Sequence, residues 1–247
     1  MRILLLRAAF LLIAVPSFAD VTVTGTQLTA EEIVARLAAR DLDRQASVDG
    51  YVGKRRYVFD NRHMQKHAEM LVDVKGDADG TKHFQVISED GWKAAHKHVL
   101  RKMLESESET SRPELRSRSK INPENYEFKL TGTEMVAERL AYILEITPKR
   151  KEKYLFRGHI WVDAEDYALV RAEGNPAKNP SFWTRSTHFV HIYQKNGALW
   201  FPLATKSVTD AMIFGTTDVN IEYFDYAAKT PGTTNNASMT AAEMPKK

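Results

Sequence analysis

The 247-residue chain contains no cysteine. This absence excludes disulfides, thiolate catalysis, and zinc or iron–sulfur sites with cysteine ligands. It also excludes a lipid-modified amino terminus of the bacterial lipoprotein type, which needs a cysteine directly after its signal peptide. Small secreted domains often depend on disulfides, so a hydrophobic core must suffice here, and about 228 residues after a signal peptide are enough for one domain.

Long apolar runs are lacking beyond the first 19 residues. Within residues 1–19, an apolar run from Ile3 to Val15 is interrupted by Arg7 and ends before the small residues Ser17 and Ala19. This is the layout of a secretory signal peptide cleaved after Ala19, whereas a membrane anchor needs about 20 consecutive apolar residues. We therefore expect the chain to be exported through the inner membrane and to reside in the periplasm as a soluble protein.

A strong excess of one charge is also absent. Without residues 1–19 the chain has 33 basic and 32 acidic residues, and a near-neutral chain gives no reason to expect a nucleic-acid partner. The charges are arranged in blocks, of which the most prominent contains Glu105, Glu107 and Glu109 and is followed by basic residues up to Lys120. The sequence predicts that this block lies in solvated loops.

The remaining chain shows one helix and then strands at short intervals. Thr29 and Glu32 have the spacing of a capping box, which predicts a helix that begins there. Residues 156–163 and 167–173 each alternate between apolar and polar positions, and the acidic turn between them is too short for a crossover helix, so they form an antiparallel hairpin. Counting similar segments gives about ten strands. The predicted fold is mainly β with some helix (α+β): a strongly curved antiparallel sheet that forms an unclosed β-barrel, with helices as a plug or lid.

A helical spacing of apolar residues occurs once more, between two groups of predicted strands. Residues 92–104 carry apolar side chains on one face, and a segment rich in Ser, Glu and Arg follows to residue 120. We predict a helix and a mobile loop, and the sequence leaves open whether the helix is a moving lid or a fixed plug. We expect one domain over residues 20–228 and a disordered tail over residues 229–247, whose composition cannot bury enough surface to order itself.

Motifs of catalysis and metal binding are missing. His63 and His67 are four residues apart without the HExxH pattern, and His188 and His191 fall on opposite faces of one predicted strand. No serine nucleophile elbow, phosphate-binding loop or dinucleotide fingerprint is present, and paired carboxylates such as Glu165 with Asp166 lie in predicted turns. The sequence therefore predicts no catalytic residue, no metal site and no cofactor, and we expect the protein not to be an enzyme.

With catalytic and metal-binding motifs missing, the binding of an apolar ligand is the remaining candidate function. If the sheet is curved, its concave face and the inserted helix gather one set of apolar side chains, which are the candidate lipid-binding residues: Met70, Val72, Phe84, Val86, Trp92, Val99, Met103, Leu144, Ile146, Ile160, Val162, Val190, Ile192, Val219 and Ile221. An ordinary packed core uses the same residue types. A nearly closed sheet of this size, however, commonly has an interior wide enough for a ligand.

The second half of the chain resembles a known family. ILEITPK at residues 143–149, GHIWVD at residues 158–163, the hairpin at Asn196-Gly197 and the closing strand up to Tyr226 look like the periplasmic lipoprotein carrier family, LolA/LolB-like, and particularly its outer-membrane lipoprotein-sorting proteins. The resemblance implies an unclosed β-barrel with a helical lid that carries acyl chains of lipids or lipoproteins toward the outer membrane. It further implies an inner-membrane donor, an outer-membrane acceptor and, without a lipidated cysteine, a soluble carrier that we expect to be monomeric.

Two other interpretations stay open. The same barrel resembles the RseB/MucB sensors of envelope stress, which bind an anti-sigma factor and usually carry a second domain at the carboxyl side. A purely structural or interaction domain with a solidly packed interior is the third interpretation. Uptake of a probe that fluoresces in dry cavities distinguishes a carrier from that third interpretation.

Overall fold

The computed structural model describes residues 28–179 and 181–229. The predicted signal peptide at residues 1–19 and all but the first residue of the predicted tail lie outside these ranges. The elements are α1 Ala30–Ala46, β1 Tyr51–Asn61, β2 Lys66–Gly76, β3 Lys82–Gly91, α2 Lys93–Ala95, a π-helical turn His96–Leu100, α3 Arg101–Ser111, α4 Pro113–Arg116, β4 Tyr126–Val136, β5 Arg139–Pro148, β6 Phe156–Asp163, β7 Leu169–Pro176, β8 Thr184–Asn196, β9 Leu199–Ala211 and β10 Gly215–Ala228.

Ten antiparallel strands form a single sheet in the order β3-β2-β1-β10-β9-β8-β7-β6-β5-β4. Neighbours in this order are consecutive in sequence except β1 and β10, the first and the last strand, which pair with each other. Strands β3 and β4 are the two edges, and the sheet is not closed between them. The predicted fold class, a curved antiparallel sheet forming an unclosed barrel with helices, is confirmed. The helical insertion after β3 is also the connection from one edge of the sheet to the other.

Helix α1 begins as the sequence predicts. The backbone N–H of Glu32 donates to Oγ1 of Thr29 at 3.2 Å, and the backbone N–H of Thr29 donates to Oε2 of Glu32 at 2.8 Å, so both halves of the capping box are present. Ile33, Val34 and Leu37 are buried on the face that this start places against the sheet. Helix α1 thereby covers the half of the concave face that contains β4 to β7, with its buried residues in one cluster with Leu144, Ile146, Ile160 and Val162.

The helix inside the sheet sequence is longer than predicted. Elements α2, the π-helical turn and α3 follow one another without a break, and we call them the insert helix, residues 93–111. The predicted loop from Glu105 is wrong over residues 105–111, because polar side chains in that stretch find partners on the sheet. Oγ of Ser111, for example, accepts from the backbone N–H of Lys82 at 2.8 Å. The helix ends at Arg112, whose extended backbone precedes Pro113.

The concave face has two separate hydrophobic clusters. One lies beneath α1, as described above. The other joins the insert helix to the opposite half of the sheet, and its buried members are Tyr57, Phe59, Ala68, Met70, Val72, Val74, Ala95, Leu100, Leu104, Val219, Ile221 and Tyr223. Each helix therefore covers its own half of the sheet, and the boundary between the halves crosses the sheet near β8 and β9. Among the described residues, no helix is long and apolar enough to cross a membrane.

Two hairpins contain glycines at positions where the backbone requires them. The hairpin predicted at Asn196-Gly197 is present, but its two loop residues are Gly197 and Ala198, with positive φ at Gly197, the first central position, as a type II′ turn requires. In the hairpin of β6 and β7, Gly158 lies opposite Gly174. A Cβ on Gly158 would lie 2.0 Å from the backbone oxygen of Glu173, so only glycine allows this approach.

Candidate functional site

A half-open cleft of about 300 Å³ lies on the concave face where the two covered halves meet. Its floor comes from β1, β8 and β10, one side from the end of α1, and the other side from the insert helix and the start of β3. The lining residues are Asp41, Arg44, Gln45, Val48, Tyr51, Arg55, Lys82, Glu107, His191, Tyr193, Leu199, Trp200, Phe201, Pro202, Tyr223, Tyr226 and Ala228. The cleft thus combines a polar floor with an aromatic wall.

Three charged residues form the centre of the polar floor. The Arg55 side chain is 2% exposed and donates to both carboxylate oxygens of Glu107, at 2.6 and 3.0 Å. Nζ of Lys82 donates to the same carboxylate at 2.7 Å. The Arg55–Glu107–Lys82 cluster connects β1, the insert helix and β3. These polar contacts hold the insert helix to the sheet, in addition to the contacts that the apolar face of the helix makes.

The protonation states of this cluster follow from its pairing. Burial alone would raise the pKa of Glu107, but Lys82 and Arg55 outweigh burial and hold that pKa far below its usual value. Burial would likewise lower the pKa of Lys82, yet the facing Glu107 carboxylate raises it. All three groups are therefore charged at neutral pH. One carboxylate faces two cations, so the cluster has a net charge of +1.

Arg55 is enclosed by aromatic side chains as well. Its Nε donates to the hydroxyl of Tyr226 at 2.9 Å and its Nη1 to the hydroxyl of Tyr57 at 3.2 Å. The guanidinium carbon lies 4.8 Å from the ring centroid of Tyr223 and 5.1 Å from that of Phe84. These contacts supply the hydrogen bonds and cation–π interactions that a guanidinium needs when it is removed from water.

His191 on β8 adds a titratable group to the floor. Its Nδ1 lies 3.0 Å from Oγ1 of Thr205, which in turn lies 2.9 Å from the hydroxyl of Tyr223. Its Nε2 is buried and has no hydrogen-bond partner within the described part of the chain. Burial lowers the pKa of His191 to about 4, so the ring is neutral at pH 7. An unpaired buried ring nitrogen is costly, and the side chain that carries it is one of those that line the cleft.

The aromatic wall stands beside this floor. Tyr51 stacks on Tyr226 with a centroid distance of 5.7 Å, and Phe201 packs against both rings at 6.4 and 5.6 Å. Leu199 and Trp200 extend the wall along β9. Aromatic and aliphatic surface of this kind suits the apolar part of an amphiphilic ligand.

The end of α1 closes the far side of the cleft through Arg44. Its guanidinium donates to Oδ1 of Asp41 at 2.6 Å and to the backbone oxygens of Asp166 and Tyr167, both at 3.2 Å. Arg44 thereby holds the last turn of α1 to the hairpin of β6 and β7. The hairpin of β6 and β7, which the sequence predicts, therefore fixes the position of this side of the cleft.

The structure distributes the predicted lipid-binding residues among several places. Nine belong to the cluster between the insert helix and the sheet: Met70, Val72, Phe84, Val86, Trp92, Val99, Met103, Val219 and Ile221. Leu144, Ile146, Ile160 and Val162 belong to the cluster beneath α1. Val190 and Ile192 alternate along β8 with His191 and Tyr193, which line the cleft, so they lie on the opposite face of the strand. None of the fifteen residues lines the cleft, although Phe84 and Val86 line a more open groove between β3 and α3.

The residues that do line the cleft were missed for a physical reason. The prediction of a solvated loop at Glu105, Glu107 and Glu109 is wrong for Glu107, which pairs with Arg55. The available signal was Arg55 itself, since it falls on the inward face of β1 together with Tyr57 and Phe59. A charged residue at an inward position requires a buried partner.

The comparisons with known proteins give a fold resemblance. Residues 121–228, less than half of the chain, match the model of a family of unknown function (DUF5686). No curated protein matches the sequence. The chain is similar to the structure of a LolA superfamily protein from Nitrosomonas europaea, with 9% identity and a TM-score of 0.44 over 81% of this chain and 93% of the other.

Two further structures are similar to this chain. An outer membrane lipoprotein-sorting protein domain from Vibrio parahaemolyticus has 13% identity and a TM-score of 0.42, covering 80% of this chain and 94% of its own. The MucA/MucB complex of Pseudomonas aeruginosa has 11% identity and a TM-score of 0.27, covering 81% and 99%. The resemblance predicted from the sequence is confirmed in that LolA superfamily proteins are among these structures. At such identities and TM-scores the similarity says nothing about what this chain binds.

An exposed apolar surface lies at the opposite end of the sheet from the cleft. It is formed by the hairpin turns after β1 and β9 and by the loop before β8, and we call it the apolar rim: Met64, Phe182, Trp183, Met212, Ile213 and Phe214. Backbone N–H of Met212 donates to the backbone oxygen of Trp183 at 2.9 Å, and Nδ2 of Asn61 donates to the backbone oxygen of Phe214 at 2.8 Å, so the loops are tied together. Phe182 is 83% exposed. Large exposed apolar patches are typical of interaction surfaces.

The histidines and carboxylates do not gather into a metal site in the part of the chain that the structure describes. Within residues 28–179 and 181–229, no group of three His, Asp or Glu side chains converges closely enough to hold a metal ion. His67 instead contacts Asp60 at 2.7 Å and Glu69 at 3.3 Å on an exposed part of the sheet. Such contacts are ordinary surface ion pairs.

Proposed function

We propose that this protein is a non-catalytic periplasmic carrier that holds the acyl chain of a lipid or lipoprotein on the concave face of its sheet, for transfer toward the outer membrane. The observation that carries the proposal is the half-open cleft between the two helix-covered halves, with its aromatic wall. The carrier exchanges its ligand with an inner-membrane donor and an outer-membrane acceptor. It acts in the periplasm, to which residues 1–19 direct it as a signal peptide.

Apolar burial supplies the driving force. Each methylene group removed from water contributes about 0.8 kcal/mol, so even a part of an acyl chain against Tyr51, Phe201 and Trp200 is held with useful affinity. The cleft has the volume of a small ligand site, for which about 300 Å³ is the lower end of the usual range. A larger acylated ligand therefore requires one of the covering helices to move.

The insert helix is the element suited to that movement. It buries Ala95, Leu100 and Leu104 against the sheet, and it contains a π-helical turn at His96–Leu100, an irregularity that often marks functional sites. Its displacement would expose the cluster with Met70, Val72 and the other predicted lipid-binding residues beneath it. In this proposal those residues bind the ligand in the open state and pack against the helix in the closed state.

Uptake of a fluorescent acyl probe tests the carrier function. We expect a fatty acid with an environment-sensitive fluorophore to become brighter on binding, and Phe201→Ala to weaken this binding roughly ten-fold, because the wall loses one of its four aromatic side chains. Phe224→Ala is the matched control, since Phe224 is exposed and lies next to Tyr223 but on the other face of β10. No uptake by the unmodified protein at micromolar concentration would refute the carrier proposal.

A second candidate function, an interaction or sensor domain, is favoured by the apolar rim. Six large apolar side chains on three linked loops present a surface suited to a partner protein in the envelope. Replacing Phe182 and Ile213 by serine would abolish partner capture by this surface while leaving uptake of the acyl probe unchanged. Crosslinking of the unmodified protein and of this double variant in the periplasm distinguishes the two functions.

A further inference from the structure

The floor of the cleft has more positive than negative charge. Its lining contains the cations Arg44, Arg55 and Lys82 and the carboxylates Asp41 and Glu107. Arg44 is paired with Asp41, and Glu107 is shared by the other two cations. One positive charge therefore remains uncompensated within the described lining of a partly desolvated cleft.

That charge resides on the side chain best placed to meet a ligand. The Arg55 guanidinium is already engaged by Glu107, Tyr57 and Tyr226. Lys82 has three N–H donors, whereas its side-chain ammonium has one hydrogen bond, to Glu107. The side chain of Lys82 is 32% exposed, so its ammonium is accessible from the cleft.

His191 independently indicates a ligand with an acidic group. Its buried Nε2 has no partner in the described structure, although it belongs to a side chain that lines the cleft. His191 lines the same cleft as Glu107, Lys82 and Arg55, so its ring and the charged cluster face one ligand space. An acidic ligand group that accepts from Lys82 and from His191 would satisfy both.

From these observations we infer that the cleft binds an anionic amphiphile with a single chain, whose carboxylate or phosphate is held by Lys82 and His191 and whose chain lies along the wall of Tyr51, Phe201 and Tyr226. The inference rests on the proposed carrier function and specifies the ligand class. The volume of about 300 Å³ fits one short chain rather than several. Binding of an anion beside His191 would also favour its protonated form, so binding takes up a proton at mildly acidic pH.

Matched ligands of equal chain length test the inference. Binding of dodecanoate, dodecyl phosphate and dodecanol is measured by displacement of the fluorescent acyl probe, below the concentration at which each self-associates. We expect both anions to bind at least ten-fold more tightly than dodecanol, because a charge-assisted hydrogen bond in a partly desolvated site is worth about one order of magnitude or more in affinity. The two anions together show whether a carboxylate or a phosphate is preferred.

Variants then assign the preference to its residues. Lys82→Met removes the uncompensated charge but leaves the Arg55 and Glu107 pair intact, and we expect it to abolish the preference for the anions while dodecanol binds as before. Lys129→Met, which changes a 77% exposed lysine on β4, is the control and should leave the preference unchanged. If Lys82→Met fails to fold, as judged by its thermal unfolding, His191→Gln replaces it and should remove the strengthening of dodecanoate binding between pH 7.5 and pH 5.5.

The outcomes separate this inference from the carrier function. Equal binding of all three ligands would overturn the anion preference and leave the carrier proposal standing. A preference that survives both Lys82→Met and His191→Gln would overturn the assigned site. Absence of binding by any of the three ligands and by the acyl probe would overturn both proposals.

Discussion

The guanidinium of Arg55 and the carboxylate of Glu107 form a bidentate ion pair, with N–O distances of 2.6 and 3.0 Å. Arg55 lies on β1 and Glu107 on the insert helix, 52 residues later in the chain. The pair therefore connects the centre of the sheet with the helix that covers one half of it. Its removal affects both the stability of the fold and the closure of the cleft.

We expect Glu107→Gln to lower the free energy of unfolding by about 3 kcal/mol, because it leaves the buried Arg55 guanidinium without its counter-ion. Glu105→Gln is the matched control on the same helix, since Glu105 is 61% exposed and forms a surface ion pair with Lys102. A change within about 0.5 kcal/mol is expected there. Urea unfolding followed by circular dichroism measures both, and equal stabilities of the two variants would contradict a structural role for the pair.

The fold was largely predictable from the sequence, whereas the residues that line the cleft were not. Alternation in segments such as residues 156–163 and the capping box at Thr29 are local signals, and local signals specified the strands and α1 correctly. The Arg55 and Glu107 pair depends on a contact across 52 residues that no local pattern contains. The continuation of the insert helix past Glu105 depends on such contacts too, which explains why a loop was predicted there.

The positions of the predicted apolar site residues also depend on contacts that no local sequence pattern contains. Their alternation along the strands places Val72 and Ile160 on the inward face, and both are fully buried. Whether such a face is filled by a helix or left as a cavity depends on where α1 and the insert helix lie, and periodicity does not contain that information. The cleft instead formed at the boundary between the helices, where the inward positions of β8 are His191 and Tyr193.

The stability of the protein should depend on pH through His191. Burial lowers its pKa to about 4, whereas the ring in the unfolded chain titrates near 6.5, as in free peptides. Between these values the unfolded chain takes up a proton that the folded protein does not, so the free energy of unfolding falls as the pH decreases from about 6.5 to about 4. The slope from this single group approaches about 1.4 kcal/mol per pH unit.

Comparison with His191→Gln isolates this contribution. The variant should lose the dependence between pH 6.5 and pH 4.5, whereas His63→Gln, at an exposed position of a turn, should retain it. Urea unfolding at pH 7.0, 6.0 and 5.0 measures the slopes. Identical slopes for the unmodified protein and for His191→Gln would show that the ring is not held neutral by burial.

The close approach of Gly158 to the neighbouring strand gives a backbone test of the register of β6 and β7. Gly158→Ala would place a Cβ 2.0 Å from the backbone oxygen of Glu173, and the required shift of the strands should cost about 2–4 kcal/mol. Gly132→Ala in β4 is the control, because a Cβ there has no neighbour within 4 Å. Thermal unfolding should show a loss for Gly158→Ala and little change for Gly132→Ala, and a loss of similar size in both would contradict the observed register.

The absence of native cysteine makes an introduced thiol a specific reporter of helix movement. Leu104→Cys places a thiol on the insert helix at a position that is 6% exposed, and Leu144→Cys places one in the cluster beneath α1, where exposure is 0%. If the insert helix moves to admit acyl chains, dodecanoate should change the rate of thiol labelling at position 104 and leave the rate at position 144 unchanged. Equal, unaltered rates at both positions would indicate a fixed plug.

Native mass spectrometry of the protein, exported to the periplasm and purified without detergent, tests the carrier function most directly. We expect an additional mass that corresponds to one lipid or acylated peptide, which can be extracted and identified. This mass should be lost in Phe201→Asp but retained in the control Phe224→Asp. A bare protein mass in every preparation, together with no uptake of added acyl chains, would contradict the carrier function and favour an interaction domain that uses the apolar rim.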